Sequence, residues 1–273
     1  MYVEITNKEL AYLKLYKGKD EGIKYLYPDA EEEMYWYYAI DYNYNNINSL
    51  INFVFTKNPN LLKNLSVWRL DEMLDMVFTL SDFACRFAIE NPREFGNLYR
   101  MEHKDNLNNY AADGMMTSFK STSKSNSEVT VFEDNNSVGL KFETEGFIPY
   151  IDIDKIVKGT VFADEKEIIF PPCIQGNITG EKVNYYNNDF ICVKLQDDFE
   201  MESYNCENSK ALYEQIKTDF VNEMTKAIKT GDVSPKLNEY CQIVSTYIYQ
   251  TLRHMYNNYY KIYQNDKIQG FSR

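Results

Sequence analysis

Apolar residues return every three or four positions from Val67 to Glu90, at Leu70, Met73, Met76, Val77, Leu80, Phe83, Ala84 and Phe87. That period marks one face of a helix, and Asn91-Pro92 ends it. From residue 95 to about 200 the period disappears. Short strand-like runs take its place, separated by Gly, Asn and Ser: Asn97–Met101, Met115–Ser123, Val129–Phe132, Gly139–Glu143, Glu167–Phe170 and Phe190–Leu195. After residue 206 the helical period returns. A chain with helices, then strands, then helices is an α+β chain with a mainly antiparallel sheet.

The flanking helices have readable ends. Thr6-Asn7-Lys8-Glu9 has the capping-box form, with a helix following through Leu10, Leu13 and Tyr16. Asp29 and Glu32 open a Tyr-rich helix through Tyr35, Ala39 and Tyr42, which Asn48 to Phe55 is expected to continue. Asn208 or Ser209 can cap a helix carrying Leu212, Ile216, Phe220, Met224 and Ile228, and Gly231 follows its end. Ser234-Pro235 then starts another through Leu237, Cys241, Val244, Ile248, Leu252, Met255, Tyr259 and Ile262. Two amphipathic helices and a short linker read as a C-terminal hairpin. Its apolar stripe is either core or a partner-binding face. The expected segments are 1–94, 95–203 and 204–273.

Net charge is −12 over 273 residues, a poor match for a nucleic-acid backbone. The five cysteines are scattered and only two histidines are present, which argues against a zinc site and against a disulfide framework. No apolar run approaches the length of a membrane span, and the first residues lack the basic and apolar regions of a signal peptide. The expectation is a cytoplasmic product, and any action outside its cell requires a non-classical export route.

Three short stretches carry chemistry. Leu98-Tyr99-Arg100 ends an apolar strand in a guanidinium, whose planar fork of donors suits phosphate oxygens. In Phe119-Lys120-Ser121-Thr122-Ser123, alternation along a strand puts the Ser121 and Ser123 hydroxyls on one face. Glu165-Lys166-Glu167-Ile168-Ile169-Phe170-Pro171-Pro172 reads as a short strand stopped by the Pro pair, with Glu165 and Glu167 on one face. Taken singly, each is more readily a surface cation, a polar loop or a wetted strand entrance.

In this order the three motifs resemble the Arg–Ser–Glu class of mono-ADP-ribosyltransferases, the clostridial-toxin-like and vertebrate cell-surface enzymes. The match runs from about Gly96 to Leu195 and is strongest at FKSTS and EKEIIFPP. The segment containing Pro149-Tyr150-Ile151-Asp152 is also similar. The resemblance implies a split β-sandwich core and NAD as substrate. It implies transfer of ADP-ribose to a protein acceptor, through arginine, by a toxin or effector. It assigns Glu167 to the ribose and its developing cation, Ser121 to orienting Glu167, Arg100 to the NAD phosphates and Glu165 to the acceptor. Met101, Thr122, Ser123 and Phe147 join Arg100 and Ser121 as the expected NAD-binding residues. Phe162 and Tyr150 flank the motifs, and Lys158–Asp164 would be the acceptor loop. Met101 stands where the family often has Gly, so a backbone contact to nicotinamide requires its side chain to turn away. The alternatives are an NAD glycohydrolase and a binding module that keeps the fold without catalysis.

Overall fold

The computed structural model describes residues 3–19, 21–63, 65–91, 97–107, 114–125, 129, 136–156, 166–185, 188–196, 199 and 204–270. Helices α1 (Asn7–Tyr16), α2 (Glu21–Leu26), α3 (Glu32–Tyr42), α4 (Tyr44–Thr56) and α5 (Leu70–Glu90) come first. Strands β1 (Leu98–His103), β2 (Lys120–Ser123), β3 (Ser137–Thr144) and β4 (Ile151–Asp152) follow. After the single turn α6 (Ile153–Ile156) come β5 (Glu167–Phe170), β6 (Gln175–Tyr185) and β7 (Asn188–Gln196). Helices α7 (Cys206–Thr230) and α8 (Pro235–Gly270) complete an α+β chain.

The chain divides into two compact units, each built from separated segments. One comprises Met1–Val3, Phe83–Met201 and Tyr256–Arg273; the other comprises Glu4–Asp82 and Glu202–Met255. The sequential division into 1–94, 95–203 and 204–273 differs from this, because α5 and α8 each contribute residues to both units.

In the first unit the strands form one sheet in the order β4-β5-β2-β1-β3-β7-β6. Its pairs are antiparallel except β3–β7, which is parallel. Within this one sheet a seam lies between β1 and β2. β1 and β3 share register pairs from Leu98↔Phe142 to His103↔Ser137, whereas β1 and β2 share the single pair Tyr99↔Ser123. Alternation from these registers assigns Leu98, Arg100, Glu102, Lys120, Thr122, Phe142, Ile168 and Phe170 to one face. Tyr99, Met101, Ser121, Ser123, Glu167, Ile169 and Phe190 share the other. On the first face the Phe142 and Phe170 rings lie 6.2 Å apart. On the second, Tyr99, Val129 and Phe190 form a cluster against which Met101 packs.

Residues of α5 and α8 finish this unit. The Tyr150 amide donates to the Ala84 carbonyl at 3.3 Å, and the Tyr150 hydroxyl donates to the Asn91 carbonyl at 2.7 Å. The Tyr256 hydroxyl donates to the Pro172 carbonyl at 2.7 Å, just beyond β5. Phe147 meets Phe199 and Tyr263 edge-on and tilted.

The second unit is helical. The capping box of α1 is present: Thr6 Oγ1 accepts from the Glu9 amide and Glu9 Oε2 accepts from the Thr6 amide. The helix read from Asp29 through Phe55 is two helices. Asn43 is extended and its side chain caps α4 by accepting from the Asn46 amide at 3.0 Å. The cap of α7 is Asn205, a turn earlier than expected, and Gly231 closes that helix at φ +80°. Ser234 caps α8 by accepting from the Leu237 amide at 3.0 Å. Leu237, Cys241, Val244, Ile248 and Leu252 are all 0% exposed, so this stretch of the hairpin stripe is core. Tyr213 of α7 bonds Asp71 and stacks on Tyr247 at 4.8 Å.

Candidate active site

The site is built on the β1–β2–β5 part of the sheet. β2 and β5 pair antiparallel over Lys120↔Phe170, Ser121↔Ile169, Thr122↔Ile168 and Ser123↔Glu167. That register sets Ser121 diagonally across from Glu167 on one face. The Ser121 hydroxyl donates to Glu167 Oε1, and the Glu167 side chain is buried. A carboxylate accepting a fixed hydroxyl in a water-poor setting is held in one orientation, which is what electrostatic stabilisation of a cation requires.

Glu167 is the first residue of β5, and the backbone before it is not extended. Lys166 has φ +46°, in the left-handed region, and Cys173 beyond the Pro pair has φ +64°. Non-glycine residues adopt such angles at a cost, and only where surrounding contacts impose them. At Lys166 the main chain is tied down: its carbonyl accepts from the Lys124 amide at 3.0 Å. Lys124 Nζ in turn bonds both Asp152 oxygens, at 2.8 and 2.9 Å. The strand alternation that paired Glu165 with Glu167 therefore stops at Lys166. Glu165, Phe162 and Lys158–Asp164 lie outside the described residues, as does the part of the Val129–Phe132 run beyond Val129.

Arg100 leaves β1 on the face opposite Tyr99. Its Nη1 donates to the Ser121 carbonyl at 2.9 Å, bridging the seam where β1 and β2 share one register pair. Arg100 thus meets Ser121 through the backbone, and Ser121 meets Glu167 through its side chain. The three motifs converge in one stretch of sheet, although the Arg100 side chain starts from the other face.

The remaining NAD-binding expectations fare differently. Met101 is half-buried on the Tyr99 face. Thr122, one of the expected NAD-binding residues, is directed away from Ser121, with its hydroxyl donating to the Ile168 carbonyl at 2.9 Å. Ser123 Oγ accepts from the Ser125 amide at 3.1 Å. Phe147, one of the expected NAD-binding residues, and Tyr150 are core rings at 2% and 1% exposure.

Two residues outside the expected set belong to the site. Glu102 Oε2 accepts from Arg100 Nε at 3.1 Å and from Lys120 Nζ at 3.0 Å. Both Glu102 and Lys120 are buried, while the Arg100 side chain retains 19% exposure. Burial pushes the Lys120 ammonium below its ordinary value and Glu102 pulls it back upward. The signal was present in the sequence. Arg100-x-Glu102 has the two-residue spacing that was read for Glu165-x-Glu167, and Lys120 shares the Thr122 face. Among the described residues no group of His, Cys, Asp and Glu is arranged to hold a metal ion.

No protein-family model matches the chain, and no curated protein does. Among solved structures the chain is similar to the Vis toxin, an ADP-ribosyltransferase from Vibrio splendidus. The match has 15% identity and a TM-score of 0.37, over 74% of this chain and 91% of that one. Vis in complex with agmatine gives 15% and 0.35 over the same shares. The ADP-ribosyltransferase HopU1 of Pseudomonas syringae pv. Tomato gives 11% and 0.36, over 72% of this chain and 99% of that one. At such scores the likeness carries no weight for fold family or chemistry, which rest on the residues above.

Proposed function

We propose that this chain is an NAD-dependent mono-ADP-ribosyltransferase that modifies a protein acceptor at arginine, acting as a toxin or effector. The observation that carries the reading is the bond from the Ser121 hydroxyl to the buried Glu167 carboxylate, with Arg100 on the Ser121 carbonyl. These two bonds join three motifs that lie far apart in sequence.

In this reading NAD is the substrate. The bond between its ribose C1′ and the nicotinamide nitrogen breaks, and the electron pair goes to the ring, which leaves as neutral nicotinamide. The ribose becomes oxocarbenium-like, as in glycoside cleavage. Glu167, oriented by Ser121, holds a ribose hydroxyl and stabilises that cation. Arg100 grips the pyrophosphate. A guanidinium nitrogen of the acceptor then bonds to C1′ and loses its proton to Glu165.

The test uses the full chain. Purified protein is incubated with NAD and a cell lysate, nicotinamide release is followed by chromatography, and ADP-ribose on arginine is sought by mass spectrometry. Release with arginine modification is expected. Release without any protein adduct supports the glycohydrolase instead, and no release above a Glu167→Gln control overturns both.

A further inference from the structure

We propose that Glu102, clamped by Lys120, is a positioning residue that aims Arg100 at the pyrophosphate of a dinucleotide. This rests on the proposed use of Arg100 as the phosphate grip.

Three observations combine. First, one oxygen of Glu102 serves both cations, Arg100 Nε and Lys120 Nζ. Second, the Arg100 fork is held at two points by groups of different strands, Glu102 of its own strand and the Ser121 carbonyl of β2. Two fixed acceptors on a planar group set its plane as well as its position. Third, the burial is graded: Lys120 and Glu102 side chains are 3% exposed, and Arg100 is 19% exposed. The inner pair is sealed and the outer cation reaches solvent.

The charge balance explains why Lys120 is present. Glu102 paired with Arg100 alone would sum to zero, giving a neutral grip for an anionic ligand. Over these three side chains, Lys120 as an ammonium makes the sum two cations less one carboxylate, a net +1. Lys120 therefore lets Glu102 orient the guanidinium without cancelling it. An arginine already ordered in its binding pose loses less rotamer freedom on taking the phosphates.

The experiment compares two double variants that keep the same net charge of the group as wild type. In Glu102→Leu/Lys120→Met both buried charges are removed together, a replacement that folds commonly tolerate. In Glu102→Gln/Lys120→Met the amide oxygen still accepts from Arg100 Nε. Readouts are KM and kcat for nicotinamide release, the dissociation constant of ADP-ribose by calorimetry, and the unfolding midpoint. The Leu/Met variant is expected to raise KM and the ADP-ribose dissociation constant about three- to tenfold, with kcat within about twofold. The Gln/Met variant is expected to restore both constants to within about twofold of wild type. Equal constants in the two variants, or a loss confined to kcat, overturn the proposal. If Leu/Met does not fold, Gln/Met decides alone: a shift in its constants beyond threefold overturns it. Wild type that binds ADP-ribose but leaves NAD intact refutes the proposed activity, and the ADP-ribose constants then still test the positioning role.

Discussion

Replacing Ser121 by Ala tests the central contact most directly. The strands that carry it do not depend on the hydroxyl. β2 and β5 share four register pairs, and Thr122 adds a side-chain bond to the Ile168 carbonyl. The substitution therefore leaves Glu167 where it is and takes away one donor from a buried carboxylate. A hydrogen bond to a charged group is worth about 1.5–3 kcal/mol. At 1.36 kcal/mol per factor of ten, that is about 10- to 150-fold in rate if the orientation matters fully in the transition state. The assay is nicotinamide release under single turnover, so that product departure does not mask the effect. The expected result is a fall in kcat of that size with KM nearly unchanged. Ser121→Thr keeps a hydroxyl and should recover part of the loss. A Ser121→Ala protein that cleaves NAD within about twofold of wild type would refute the role given to the Ser121–Glu167 bond.

Other outcomes follow from the same geometry. Thr122→Val should leave kcat within about twofold yet cost about 1 kcal/mol, lowering the unfolding midpoint by about 2–4 °C in calorimetry. Lys166→Gly should raise the midpoint slightly, since the positive φ costs a side-chain-bearing residue about 1 kcal/mol. Lys166→Pro should abolish NAD cleavage, because the ring fixes φ near −65° and redirects the entry to Glu167. Glu165→Gln should abolish transfer to protein while NAD hydrolysis continues; mass spectrometry showing unchanged adduct levels would contradict the acceptor role. All five cysteines are thiols, four of them buried, and burial pushes Cys241 up to about 12. Ellman's reagent should therefore titrate at most Cys206 promptly in the native protein and all five after denaturation.

Much of this fold is legible in the chain because local signals and burial agree. β5 is where Ile168-Ile169-Phe170 and the Pro pair placed it, and the α1 capping box forms as written. Breaks and polar edges are harder. Nothing in Tyr42-Asn43-Tyr44 interrupts the helical period, yet Asn43 turns the chain by capping α4 with its own amide oxygen. β6 was not anticipated, because Gln175–Tyr185 is polar and contains Gly176 and Gly180; it is an edge strand held by backbone pairing to β7. Two-residue β4 is too short to show a pattern and exists through its pairing with β5. In that stretch of sheet, the pairing of Ser121 with Glu167 follows from alternation once β2 and β5 are in register, whereas the Thr122 bond to the Ile168 carbonyl and the burial of Phe147 show only in the packing. Glu102 and Lys120 escaped notice because the Arg100-x-Glu102 spacing does not by itself reveal a buried charge. Only its partner on another strand makes it tolerable.

The unit that carries the sheet is assembled from pieces of chain separated by the helical stretch Glu202–Met255. Tyr256 bonds Pro172, and Phe147 and Phe199 pack on rings of α8. During synthesis the strands leave the ribosome well before that helix does. They must wait, with Phe147 and Phe199 uncovered, until the last wall is delivered. A nascent chain of this protein therefore holds all three motifs before it holds a finished sheet-bearing unit, and the proposed NAD cleavage should begin only once translation has passed that helix.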